Sequence, residues 1–469
     1  MNIFRRFLFF IISSGCVFGN LAFTDEAHTV FRTKSPAEFV LSDNGQESYR
    51  LFLDCLQKAK RSVELCPCMI GGEIFYEILS VLKERMNTES ELTVHMIIQP
   101  TMFDERDREE LKAMKNLFPD RFHYVFTDFV PLNFPEINVI ELHIKFCIVD
   151  GKYFMFGGSN LEDFMCTSGD VVPEENTSPR RFLNMRRPLA FRDQDVVCKN
   201  TELAESLREI FYRLFAVWRH YSKTMCLVKD PWGLPCDYTP LGIYDTVVKV
   251  FDEHPDKVIV DGSRVRLIFS GPHIGKNNPI GQAYCDLIAS AQRNIIIGNL
   301  YFLPVDRFMK SIRGAVNRGI DFTLISNGIH ELSPDCTQHY CWGNRINYIP
   351  ILYGRSFYLW EKYKVSQVGL KNTKVYEFYL YQTQYHKKVM LVDDRYFLIG
   401  SYNLCLKSEY YDYEGALVID SEEVAAKVLK ILDKDRTLSS HISADCAIGW
   451  FFDPKIYFLG HTLTNLMPA

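Results

Sequence analysis

The chain has 469 residues, of which 47% are hydrophobic and 24% charged, and a formal net charge of −5. That is the composition of a folded chain rather than a disordered one, and its length admits two or three ordinary domains or one large duplicated body. The acidic balance argues against a general nucleic-acid-binding surface, which needs a basic excess, but leaves room for a local basic channel.

The first element in chain order is a leader-like run. Arg5 and Arg6 precede an apolar stretch from Phe7 to Ile12, and small residues follow through Gly19. This is the order of a signal peptide, with cleavage expected near Gly19 or Ala22. Uncleaved, segment 1–23 reads as a signal anchor. Either way the expected localisation is exported or extracytoplasmic, membrane-anchored in the uncleaved case. No later segment reads as a transmembrane helix.

Next, SYRLFLDCLQKAKRSVELCPCMI reads as an amphipathic helix and then a strand, and EIFYEILSVLKERM with ELTVHMIIQP repeats that order. The segment ELHIKFCIVDGKYFMFGGSN follows, from Glu141 to Asn160. After it come an arginine- and proline-containing insertion, Thr167 to Pro188, a strand in RDQDVVCKN and a helix in ELAESLREIFYRLFAVW. Arg180, Arg181, Arg186 and Arg187 in the insertion fit either a flap for anionic lipid or a solvated loop. Prolines and glycine between Tyr221 and Lys257 mark a connection.

The series then restarts. IGQAYCDLIASAQRNIIIGNLYF again reads helix then strand, followed by DRFMKSIRGAVNRG and IDFTLISNG. Aromatic residues crowd the next stretch, namely Trp342, Tyr348, Tyr353, Phe357, Tyr358 and Trp360, as core or as an apolar mouth. YHKKVMLVDDRYFLIGSYN runs from Tyr385 to Asn403, and a strand in EGALVID and a helix in SEEVAAKVLKILDKD close the series. The organisation read from this is a leader at 1–23, a first half at 24–225 with its motif at 143–160, a connection at 226–260, and a second half at 261–469 with its motif at 386–403.

Cys147, Cys198 and Cys405 lie in apolar runs and read as buried thiols. Cys336, His339 and Cys341 form the one group with ligand-like spacing, but no fourth ligand is visible and no metal is expected there. Disulfide pairing is not readable.

Read as strands, the two motifs put His143 with Lys145, and His386 with Lys388, on one face about 6.6 Å apart. Asp150-Gly151 is a tight-turn dipeptide and Asp393-Asp394 a weaker one, so each motif reads as a hairpin. The returning strands end at Gly157-Gly158-Ser159-Asn160 and Gly400-Ser401-Tyr402-Asn403. Histidine, lysine and asparagine thus gather at one edge. Lysine binds phosphate as a point charge, asparagine donates to non-bridging oxygens, and imidazole serves as nucleophile or as acid. Two copies supply both roles. The reading is a phosphodiester transferase or hydrolase that needs no metal or other cofactor.

The pair of motifs, H-x-K-x4-D followed by six residues and G-(G/S)-x-N, resembles the signature of the phospholipase D superfamily, most closely its bacterial cardiolipin synthase branch. The resemblance covers nearly all of the chain after the leader. It implies an α/β fold of two duplicated α/β/α sandwich halves, each with a mostly parallel sheet, packed about a pseudo-two-fold axis with one active site between them. It implies that His143 attacks phosphorus and that His386 protonates the leaving alcohol, then deprotonates water or an acceptor alcohol. Lys145, Lys388, Asn160 and Asn403 would hold the phosphate oxygens. Asp150 and Asp393 belong to the catalytic motif, although their place in the turn suits fixing its backbone. The resemblance also implies a carboxylate that orients each histidine, Glu414 in the second half and Asp193 in the first, with Asp195 as its rival. Phospholipid, or a membrane surface, is the expected substrate partner. An exported nuclease of the same superfamily is the alternative, and a non-catalytic membrane-associated binding protein ranks last. The acceptor and the oligomeric state are not readable.

Overall fold

Strand β1 spans Val30–Arg32, β2 Ala37–Leu41, β3 Ser62–Cys66, β4 Thr93–Ile98, β5 Phe122–Phe126, β6 Phe146–Val149, β7 Tyr153–Gly157, β8 Ala190–Arg192, β9 Asp195–Lys199 and β10 Val258–Val260. The second series continues with β11 Val265–Ser270, β12 Asn294–Asn299, β13 Asp321–Asn327, β14 Thr373–Phe378, β15 Thr383–Tyr385, β16 Lys388–Val392, β17 Tyr396–Gly400, β18 Glu414–Asp420 and β19 Ser439–Ile442. The structure is a computed structural model and describes residues 29–100, 103, 105–127, 141–163, 165–169, 190–224, 250–271, 278–328, 337–353, 365–380, 383–454, 456–458 and 460. The leader, most of the insertion and connection, and Cys336, Phe357, Tyr358 and Trp360 lie outside the described residues.

Local chemistry sets the helix ends. Helix α1 (Gly45–Gln57) starts at Asn44, whose side chain accepts the Glu47 N–H at 2.9 Å, while Glu47 reaches back to the Asp43 N–H at 2.8 Å. That reciprocal pair satisfies one of the amides a helix start leaves open, that of Glu47, and ties down the residue before the cap. Its apolar stripe, including Phe52 and Leu56, is buried. Asn278, followed by Pro279, starts another helix in the second half (Pro279–Ser290) in the same way.

The strands form two large sheets of nearly the same order. The first runs β10-β2-β9-β7-β6-β3-β4-β5, the second β1-β11-β18-β17-β16-β12-β13-β14-β19. Strand by strand the second repeats the first and adds β19. Each sheet is mixed, a correction to the expected mostly parallel one. Within these two sheets the parallel pairs are β3–β4–β5 and β12–β13–β14, because those strands are joined by crossover helices while the motif strands are joined by hairpins, and β8 with β15 forms a separate two-stranded parallel sheet between the halves. The turns are of the kind that twist with the strands: Asp150 and Gly151 have φ of 55° and 59°, Asp393 and Asp394 56° and 52°.

The two outermost strands are exchanged. β1 opens the first half in sequence but pairs with β11 in the second sheet, and β10 lies in the connection but pairs with β2 in the first. Between the sheets lies a shared apolar core. It takes Ile144 and Phe156 from one half and Tyr385, Val389 and Leu417 from the other. Two helices (Thr201–Thr224 and Glu422–Thr437) pack into this middle layer through Leu207, Phe211, Val428 and Leu432. Separate apolar layers cover the outer face of each sheet. Cys147, Cys198 and Cys405 are buried free thiols. No disulfide occurs among the described residues. None of their helices is long and apolar enough to cross a membrane.

Candidate active site

His143 precedes β6 and His386 precedes β16, so neither lies in the strand that the motif pattern predicts. The reason is a competing set of backbone hydrogen bonds from the opposite half. The His143 N–H donates to the Tyr413 carbonyl at 3.0 Å, and the His386 N–H to the Arg192 carbonyl at 2.8 Å. Tyr413 and Arg192 immediately precede Glu414 and Asp193. Each motif is therefore stitched to the chain that carries the other half's carboxylate.

The side chains follow the same crossing. His143 Nδ1 lies 3.0 and 3.1 Å from the two oxygens of Glu414, and His386 Nδ1 lies 2.6 Å from Asp193 Oδ2. Each imidazole is thus held on its Nδ1 side, which leaves Nε2 as the reactive nitrogen. Glu414 is held in turn by the hydroxyls of Ser401 and Ser408, the latter at 2.6 Å. Asp193 accepts from the Gln194 N–H at 2.9 Å. Asp195 serves a different end and accepts the Ser159 N–H at 3.0 Å.

The lysines converge on both histidines. The Lys145 ammonium donates to the His143 carbonyl at 2.6 Å, and that of Lys388 to the His386 carbonyl at 2.6 Å, with the His386 ring nitrogens at 2.8 and 3.0 Å. Burial and the Lys145 charge hold His143 well below the ordinary imidazole range. Burial and Lys388 push His386 down to about 4, against the pull of Asp193. Burial lowers Lys388 to about 7 and raises Glu414 to about 7. Burial by itself would raise Asp193, but His386 and Lys388 outweigh it and hold that carboxyl below its ordinary value. Asn160 and Asn403 are buried at the ends of the returning strands. The Asn160 carboxamide oxygen accepts the Met69 N–H at 3.3 Å, which fixes the orientation of its NH2 group.

Asp150 and Asp393, counted with the catalytic motif in the sequence, sit elsewhere. Each occupies its hairpin turn, a full strand away from the histidine. Asp150 accepts the backbone N–H groups of Lys60, Arg61 and Ser62 at 2.7–3.1 Å. Asp393 does the same for Gln292, Arg293 and Asn294 at 2.7–3.2 Å. They tie the turn to the start of the neighbouring strand and do not reach the phosphate site. Ser408 and Tyr413 join the site without having been read from the sequence: Ser408 reaches Glu414 through a fold within the second half, and Tyr413 meets His143 across the halves, and neither contact has a spacing that marks it. Cys341, the described cysteine of the ligand-like group, is buried against Asn327 and the Gly328 carbonyl. No group of three metal-ligating side chains with metal-site geometry occurs among the described residues.

Comparison with known proteins adds the following. A family model described as cardiolipin synthase, PLD-like domain, matches residues 284–436. Cardiolipin synthase A of Buchnera aphidicola subsp. Acyrthosiphon pisum (strain Tuc7) is 26% identical over 195 residues, 40% of this chain and 35% of that protein. The match thus spans about a third of that relative's length. Probable cardiolipin synthase YwiE of Bacillus subtilis (strain 168) is 20% identical over 425 residues, 89% of this chain and 67% of that protein. Among solved structures, phosphatidylserine synthase of Haemophilus influenzae Rd KW20 superposes with a TM-score of 0.58 at 16% identity, covering 86% of this chain and 87% of that one. That likeness extends over both halves and shows a shared fold.

Proposed function

The chain belongs to the phospholipase D superfamily, in its cardiolipin synthase-like branch, and from that premise we propose that it is a phosphatidyltransferase or phosphodiesterase acting on phospholipids through a phosphohistidine. The observation that carries this is the pair of crossed contacts, His143 with Glu414 and His386 with Asp193, each joining one half to the other.

In this reading His143 Nε2 attacks phosphorus. The bond to the headgroup or glycerol oxygen breaks, and His386 Nε2 delivers its proton to the departing alkoxide. Glu414 carries the charge that develops on His143. His386 then takes a proton from water or an acceptor alcohol, whose oxygen displaces the histidine from phosphorus. Lys145, Lys388 and the amides of Asn160 and Asn403 hold the non-bridging oxygens throughout. Lowered imidazole affinity for protons suits the nucleophile. The acid needs its proton, and the phosphate anion beside it supplies the field that keeps it. The relatives' names support lipid over nucleic acid as substrate. An exported placement rests on the leader alone and is tested by where the intact protein fractionates.

The test uses protein lacking residues 1–23, with chelator present, on mixed phospholipid vesicles with and without added glycerol. Headgroup release or exchange that disappears in both His143→Asn and His386→Asn is expected. Cleavage of a single-stranded oligonucleotide in place of lipid would assign the site to nucleic acid, and activity surviving both substitutions would overturn the mechanism.

A further inference from the structure

Each histidine–carboxylate pair is flanked by a buried ion that the phosphoryl chemistry does not use. On the His386 side it is Asp435, which has no exposed surface. Its carboxylate lies 2.8 Å from the Arg192 guanidinium and 2.7 Å from the Lys387 ammonium, both also fully buried. Arg192 is the chain neighbour of Asp193, and Lys387 that of His386. On the His143 side it is Lys407. Its ammonium pairs with Glu141 and lies 3.3 Å from Asp412. Glu141 stands two residues before His143, and Asp412 two residues before Glu414. The two segments are further joined by the Glu141 N–H donating to Asp412 at 3.0 Å and the Tyr413 N–H to the Glu141 carbonyl at 2.9 Å.

The two arrangements each flank one histidine–carboxylate pair and are opposite in charge. One anion bridges two cations, and one cation bridges two anions. A bridge of either kind costs several kcal/mol in desolvation per ion, so its place is explained better by fixing geometry than by adding stability. Both bridges join a histidine's own segment to the segment carrying the carboxylate that orients it, across the interface.

Resting on the phospholipase D-like reading of the site, we propose that Asp435 and Lys407 are positioning residues, each clamping one histidine to the carboxylate of the opposite half. Neither touches the reacting atoms. They act through the separation of His386 from Asp193 and of His143 from Glu414. Because the clamps differ in sign, their removal acts on the two imidazoles in opposite senses. Taking away the Asp435 charge leaves Arg192 and Lys387 beside His386 and disfavours its imidazolium. Taking away the Lys407 charge leaves Glu141 and Asp412 beside His143 and favours its imidazolium. The other charged groups that face each ring are unchanged: Lys388, Asp193 and Lys145 at His386, with Asp43 still paired to Arg192 at 2.6 Å, and Lys145, Lys388 and Glu414 at His143.

The test follows histidine titration by NMR in the protein without residues 1–23, with the two resonances assigned from His143→Asn and His386→Asn. Asp435→Asn is expected to move the His386 midpoint to lower pH and leave that of His143 in place. Lys407→Met is expected to move His143 to higher pH, and Lys407→Arg to restore it. Should Asp435→Asn fail to fold, Lys387→Met keeps the Arg192–Asp435 pair and is expected to move His386 to higher pH. On vesicles, Asp435→Asn and Lys407→Met should lower kcat about 10²-fold with KM nearly unchanged, the signature of a small misplacement of reacting groups. Midpoints that stay in place, or move in the same direction in both variants, would overturn the clamp. So would a loss of turnover that only follows the folded fraction. The titration needs no substrate, so inactivity of the wild type on lipid would count against the phospholipid reading and leave the clamp to be decided by the midpoints.

Discussion

His386 sits between Asp193 and Lys388, and the two pull its proton in opposite directions. On His143 burial and Lys145 lower the proton affinity and Glu141 raises it, while its Nδ1 partner Glu414 is itself lifted by burial from an ordinary 4.5 to about 7. A folded carboxyl that holds its proton more tightly than the unfolded one contributes stability that is complete below about pH 4.5 and is lost as pH rises through about 7. The carboxylate is the stronger acceptor for the His143 Nδ1–H and the only form whose charge offsets the one that develops on His143, so turnover should rise across the window in which stability falls. Glu414→Gln is expected to flatten the stability profile there, as measured by urea unfolding at a series of pH values. The same substitution should cost about 10²–10⁴-fold in turnover, the range for a misdirected general acid or base. The histidines themselves are the more severe sites, and His143→Asn should abolish formation of the phosphohistidine seen in an acid-quench assay.

The hairpins position these residues from a distance. Asp150 and Asp393 hold three backbone amides each at the far end of the motif strands. Asp150→Ala should therefore lower stability by roughly 1.5–3 kcal/mol, the scale of a charged hydrogen bond, with kcat of the folded protein unchanged. A combined chemical-denaturation and turnover measurement separates the two effects, and a selective loss of kcat would return Asp150 to the chemistry. At the near end of the strands, the motif's small residues decide what fits. A Cβ on Gly158 would lie 2.3 Å from the Asp193 carboxylate, whereas Ser401 at the matching position uses its hydroxyl to hold Glu414. Gly158→Ala should displace Asp193 from His386 and lower kcat at nearly constant KM, and steady-state kinetics checks this directly.

Across the whole molecule the halves exchange both structure and chemistry. β1 and β10 each complete the other half's sheet, and each histidine depends on a carboxylate from the other half. An isolated second half carries His386 without Asp193 and lacks β1. It should show no turnover by itself, and mixing it with the first half should restore part of the activity in proportion to the complex formed. Full activity from either half alone would contradict the crossed site.

Much of this was legible in the residues. The two motifs, their hairpin turns and the alternation of amphipathic helices with β-rich runs are local patterns, fixed by the turn preferences of Asp150-Gly151 and by the periodicity of each segment, and they identify the duplication and its phosphate chemistry. Pairing between distant segments is another matter. That β1 joins the second sheet, that Tyr413 draws His143 out of its strand, that Glu414 serves His143 and not His386, and that Lys407 meets Glu141 and Asp435 meets Arg192 beside the pairs are contacts between residues 193 to 271 positions apart. Sequence spacing determines which face a residue takes within its own element. Which element lies opposite is decided only when two similar sheets bury their apolar faces against each other, and burial of those faces is what brings the crossed charges together.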